Sequence, residues 1–121
     1  MEALFIEIDK SFFNEDKDVL VATIYRPHGN CLEFVRLVSN ILQGVKSENK
    51  RCYFLGDYNL DLFKADIHTP TAEFIDTMYS HSCFPLINRP TRVKEHTSTL
   101  IDNIFTNCMD ASRDTLSGIF P

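Results

Sequence analysis

The chain has 121 residues, 44% of them hydrophobic and 24% charged, and a formal net charge of −5 from 12 Lys+Arg against 17 Asp+Glu. That length suits one domain with a modest core. The charge excludes a general polyanion binder, whose domain is ordinarily basic, and no apolar run is long enough to span a bilayer.

Met1 is followed by Glu2 with no basic run before "ALFI", so a signal peptide is not expected. Cys31, Cys52, Cys83 and Cys108 include no CxxC pair. They read as free thiols in a reducing, intracellular compartment. The charge is unevenly placed. The first twenty residues hold six acids and two bases, whereas residues 89–94 hold Arg89, Arg92 and Lys94 with no acid. Such a strip can meet phosphate even in an acidic chain.

In chain order, "ALFIEID" alternates as a strand. "KSFFNEDKD" is a polar connection, and "VLVATIY" (Val19 to Tyr25) is β-branched enough for a central strand. After the loop "RPHGN", Asn30 and Glu33 form a capping-box pair. A helix then runs from Cys31 to about Gly44, with Leu32, Val35, Val38, Leu42 and Val45 on its apolar face. "CYFLG" is a buried strand, and Thr69 and Pro70 read as N-cap and N1 of a second helix. Phe74, Ile75, Met78 and Tyr79 give that helix its buried side.

"CFPLI" is a short extended piece and "NRPTRVKEHTST" a polar, partly basic loop. "LIDNIFT" (Leu100 to Thr106) is a strand, and "TLSGIF" is expected to be another. The order β-β-α-β-α-β-β-β predicts an α/β (α+β) fold, a sheet covered by helices. Residues 1–121 are read as one domain without repeat or linker.

The stretch "YFLGDYNLDL" carries the first chemical signal. A core strand breaks at Gly56, and Asp57 and Asn59 follow at once. A turn explains this plainly. An EF-hand does not fit: Asp57, Asn59 and Asp61 have its opening spacing, but Leu62 and His68 stand where Gly and Glu are required. His68, His81 and Asp66 lack zinc spacing and read as surface residues. Phosphoester hydrolysis is the third reading. It needs an oriented water and donors to the phosphoryl oxygens. Asp57 could orient or deprotonate the water, and Asn59, two residues on along extended backbone, would point to the same side and could donate to phosphate.

Three further segments accompany it: "IYRPHG" with Tyr25 and Arg26, "INRPTR" with Arg89 and Arg92, and "STLIDNIFTN" with Thr99 and Asp102. Taken in order with "GDYNLDL", they resemble the endonuclease of non-LTR (LINE-type, jockey-like) retrotransposons, in the endonuclease/exonuclease/phosphatase superfamily of DNase I. "GDYN" is similar to the family's GD(F/Y)N. "YRPHG" is similar to YRPPG, with His28 in place of the second Pro. "TLIDNIFTN" is similar to S-x-I-D-x-I-x-T-N, with Thr99 in place of Ser.

The resemblance covers nearly the whole chain and implies a four-layer α/β/β/α sandwich. It also implies Mg²⁺-dependent nicking of DNA, a nuclear site of action for the parent element, and a reverse transcriptase domain downstream in its polyprotein. By the same resemblance Tyr25 would bond the scissile phosphate, Asp57 would activate water, and Asn59 would hold phosphate and water. Asp102 would orient a catalytic His. Arg92, with Arg26, Arg89 and Thr99, would face the DNA. The family's early Asn strand, its metal-binding Glu and its closing Ser-Asp-His have no counterpart here. A fragment lacking N-terminal strands and the last strand is therefore expected, with an unpaired sheet edge and no activity by itself. Two alternatives stand beside this reading: a non-catalytic remnant or co-opted nucleic-acid-binding module, and a phosphatase of the same superfamily.

Overall fold

The alternation seen in "ALFIEID", "VLVATIY" and "CYFLG" becomes three adjacent strands in the computed structural model, which describes residues 2–13, 16–27, 29 and 31–108. Strands β1 (Glu2–Ile8) and β2 (Val19–Tyr25) run antiparallel. A 3₁₀ turn, Lys10–Phe13, lies within the connection between them. Helix α1 (Cys31–Ser47) then carries the chain to β3 (Arg51–Asp57), which is parallel to β2. Such a pairing requires a long crossover, and α1 provides it.

A second 3₁₀ turn, Leu62–Lys64, leads to helix α2 (Thr69–Ser80) and the short strand β4 (Phe84–Pro85). The hairpin β5 (Arg92–Lys94) and β6 (Thr97–Thr99) precedes β7 (Asp102–Thr106). The main sheet has the order β1-β2-β3-β7-β4, with β7 antiparallel to both of its neighbours.

Helices cover one face. Ala22, Phe54 and Phe105 sit opposite one another on β2, β3 and β7. They are fully buried, and they join one core with Phe34, Val38, Leu42 and Val45 of α1 and Phe74 and Met78 of α2. The rings of Phe34, Tyr58, Phe74 and Phe105 interlock, Tyr58 and Phe74 at 5.1 Å and Phe74 and Phe105 edge-on at 5.4 Å. Aromatic contacts of this kind contribute about 1 kcal/mol each beyond burial. Side chains alternate along a strand, so Leu4, Thr23, Leu55 and Ile104, also mutually paired, lie on the other face. Leu4 is 62% exposed there. The described residues thus form one α layer on one β layer.

Several expected details shift. Helix α1 runs to Ser47, and Phe34, not Leu32, is its buried first-turn residue; Leu32 is exposed. A large ring one turn before Val38 wins the core position because it reaches Tyr58 and Phe74. Thr69 is already helical in α2, so the N-cap falls on His68, and Tyr79 is half-exposed. The strand expected from Leu100 begins at Asp102, and the "polar loop" before it contains the β5–β6 hairpin. Val93 and Lys94 are exposed on that hairpin, so no apolar alternation announced it. All four cysteines are free thiols, three of them buried. The expected strand "TLSGIF", the Asn30 cap and the substitution at His28 lie outside the described residues.

Candidate functional site

Strands β2 and β3 end in register, and β7 begins beside them. Tyr25 pairs with Asp57, and Asp57 pairs with Asp102. Directly opposed residues show their side chains on the same face. Tyr25, Asp57 and Asp102 therefore form one row on the face turned away from the helices. Glu2 extends the row, opposite Tyr25, a placement the sequence did not suggest because nothing local fixes the β1–β2 register. A shallow concavity of about 510 Å³ adjoins the row, with Leu4, Thr23, Tyr25 and Leu55 in its lining.

Two facing carboxylates repel. Arg92 lies between them: its Nε donates to Asp102 Oδ2 at 3.3 Å and its Nη2 to Asp57 Oδ2 at 3.4 Å. The side chains are unevenly exposed, 55% for Arg92 against 23% and 34% for Asp57 and Asp102. The hairpin delivers Arg92, and its base is held against the start of β7. Thr91 Oγ1 accepts the backbone N–H of Ile101 and of Asp102, each at 3.3 Å. Thr91 N–H donates to the Thr99 carbonyl at 2.9 Å. Thr99 itself is half-buried opposite Arg92 on the hairpin, and Arg89 is exposed.

The "GDYNLD" segment is mostly an anchor. Gly56 has no room for a side chain, since a Cβ there would meet the Ile24 carbonyl oxygen at 2.2 Å. Tyr58 is buried with its hydroxyl donating to the Phe54 carbonyl at 2.8 Å, and burial pushes its phenol pKa up. Leu60 is buried beside it in the core. Asp61 Oδ1 accepts from Phe63 N–H at 3.1 Å and Leu100 N–H at 3.0 Å, tying the loop to the approach of β7. Alternate residues thus point inward, a signal that was legible as Tyr58 and Leu60 between Asp57, Asn59 and Asp61.

Two expected placements change. The backbone does not stay extended through Asn59, which takes φ 51°, a left-handed conformation that Asn tolerates. Its backbone N–H donates to Asp57 Oδ1 at 3.1 Å, and its side-chain amide donates to the Arg26 carbonyl. Asn59 stays next to Asp57 but does not project beside it as extended backbone would make it.

Arg26, expected at DNA, is only 5% exposed. Its Nε donates to the Tyr58 carbonyl at 2.6 Å and its Nη2 to the Asn59 carbonyl at 2.8 Å. Its Nη1 reaches the carbonyls of Pro27 and Gly29 at 3.4 Å, and the guanidinium lies 5.7 Å from the Phe34 ring centre. Main-chain oxygens and a ring face replace a carboxylate as its surroundings. In this chain the guanidinium is thus spent on main-chain carbonyls.

The other asparagines of "LIDNIFTN" are structural as well. Asn103 bonds both backbone groups of Ile87, with Nδ2 donating to the carbonyl at 2.9 Å and Oδ1 accepting at 3.1 Å. Asn107 does the same between Cys52 N–H, at 2.9 Å, and the Lys50 carbonyl, at 3.0 Å. Only Asp102 of that motif reaches the row.

Mg²⁺ is the metal the resemblance implies. The donor set does not fit it: Asp57 and Asp102 are joined to a guanidinium, and among the described residues no three His, Cys, Asp or Glu side chains form a group that could hold a metal ion. His68 and His81 instead bond locally, to Thr71 Oγ1 and to the Thr77 carbonyl.

No family model and no curated protein matches the chain. Solved structures do. The endonuclease domain of TRAS1, a telomere-specific non-LTR retrotransposon, superposes with a TM-score of 0.63 at 14% identity, over 85% of this chain and 49% of that one. An endonuclease/exonuclease/phosphatase family protein from Bacteroides thetaiotaomicron gives 0.50 at 17% identity, over 74% of this chain and 35% of that one. The chain therefore has a retrotransposon-endonuclease-like fold of the DNase I-like α/β type, and it spans about half the length of the TRAS1 domain.

Proposed function

We propose that this chain forms part of a DNA endonuclease that hydrolyses a phosphodiester and nicks its target for a retrotransposon. One observation supports the reading most: Tyr25, Asp57 and Asp102, distant in sequence, align on three neighbouring strand ends on one face, with Arg92 over two of them. Strand ends are rigid mounts, as catalytic geometry requires.

In this reading Arg92 and the Tyr25 hydroxyl hold the phosphoryl oxygens, with Arg92 suited to paired contacts. Asp57 orients a water and receives its proton as the water oxygen bonds phosphorus and the ester oxygen leaves. Asn59 has two amide N–H groups. One is committed to the Arg26 carbonyl, and the other is assigned to the water or phosphate. Asp102 orients a further group at the site. Mg²⁺ remains the metal implied by resemblance, and no step is derived through it.

The test is nicking of supercoiled plasmid in Mg²⁺ by three proteins. Among the described residues no three His, Cys, Asp or Glu side chains form a metal-holding group, and the 121-residue chain alone is expected to show nothing above background. A longer protein that adds the rest of a DNase I-like domain is expected to nick. Asp57→Ala in that protein should lower the rate by about 10³-fold or more, as loss of one member of a cooperating set does. Full activity of that variant would remove Asp57 from the reaction.

A further inference from the structure

We infer that Arg92 has two alternative partners: it closes the Asp57–Asp102 pair, and a backbone phosphate opens the pair by exchanging with the carboxylates. The inference rests on the reading above for the identity of the phosphate, but its first half stands on the geometry of Arg92, Asp57 and Asp102.

Asp57 and Asp102 are paired directly across β3 and β7, and one guanidinium serves both. The donor set that disappoints a metal is thus already served by a cation of the chain itself. Its contacts, 3.3 and 3.4 Å, are longer than the roughly 2.7–2.9 Å of a tight charge-assisted bond. Arg92 is also more than half exposed, on a hairpin whose Arg92–Lys94 strand is exposed throughout. A loose, solvated clamp of this kind stabilises little and exchanges readily. A phosphodiester offers the same guanidinium two oxygens in a plane matched to its fork.

Exchange has a consequence for order. Once Arg92 turns to phosphate, Asp57 and Asp102 are released together, and Asp57 becomes free to hold water only when substrate is present. Closing the pair in the free protein also quenches the negative field that would otherwise repel DNA at the row.

Two measurements on the 121-residue chain test this. The first needs no nucleic acid. Arg92→Ala should lower the thermal midpoint at low salt by about 3 °C, and Asp102→Asn added to it should restore most of that loss, because the neutral amide removes the repulsion. A hairpin held by Arg92 through packing alone would give the same first loss without rescue, and that outcome overturns the clamp.

The second measures binding of a labelled DNA duplex by anisotropy. Asp102→Asn should tighten binding by about threefold when Arg92 is present, and by distinctly less in the Arg92→Ala background. Equal tightening in both backgrounds means simple repulsion and overturns the exchange. Absence of DNA binding in every variant would count against the proposed function and against phosphate as the second partner, while the rescue arm would still decide the clamp.

Discussion

Arg26 shows how a residue's role is decided by depth. In "IYRPHG" it adjoins Tyr25, and a cation beside a phosphate-binding tyrosine invites a DNA contact. Tyr25 points to the open face, however, and the next residue of an alternating chain points away from it. Arg26 is therefore directed to the helix side. There it grips the carbonyls of Tyr58 and Asn59, while Asn59 grips the carbonyl of Arg26. The two loops that flank the row are thus locked to each other. Arg26→Lys should destabilise the chain by about 2 kcal/mol in urea unfolding, because an ammonium cannot serve the divergent acceptors at once and leaves a buried carbonyl unpaired. Unchanged stability would show that the fork is not what holds the loops.

At the scale of the element, β3 ends and β7 begins in a motif that is mostly structural. "GDYNLD" has one residue in the row and several in anchoring roles, and "LIDNIFTN" is alike. Gly56 belongs to the anchors. Its neighbour across the parallel ladder is Ile24, and the approach of the two backbones leaves no space for a methyl group. Gly56→Ala should cost roughly 3 kcal/mol, since the obstacle is a backbone carbonyl that cannot rotate aside. It should also disturb the register of Tyr25 and Asp57, one residue further on. Chemical denaturation gives the first effect, and backbone amide shifts at those residues give the second. A variant as stable as the parent would mean that β2 can move away at no cost.

Over the whole molecule the two faces of the sheet differ sharply. Helices α1 and α2 close one. The other presents Leu4, Leu55 and Ile104 beside the polar row, and β1 forms an edge with Leu4 and Ile6 62% and 52% exposed. An apolar edge strand is a template for self-pairing. Leu4→Lys should reduce concentration-dependent association in sedimentation without lowering the unfolding midpoint, because Leu4 contributes little to the core. Equal association by both proteins would place the sticky surface elsewhere. The acidic net charge opposes association generally, so the comparison is best made at high salt, where screening removes that protection.

The sequence by itself determined the fold class, the two helices, the three core strands and the polar residues at their ends. Each of these depends on local information: alternation, a period near 3.6, and turn residues that break an apolar run. The signature segments were likewise legible one by one, and with them the resemblance whose fold the structure has. What only the tertiary structure decided was partnership. Tyr25, Asp57 and Asp102 share a row because β2, β3 and β7 take one register, and register is set by packing between strands far apart in the chain. The hairpin of residues 92–99 carried no apolar alternation, so its strands were invisible until the tie to β7 made them. Phe34 displaced Leu32 because ring contacts across the core outweigh helical periodicity in the first turn. Arg26 and Arg92 look alike in a charge count. One is buried against carbonyl oxygens and the other bridges two carboxylates, since a guanidinium takes whichever acceptors the assembled fold brings within reach.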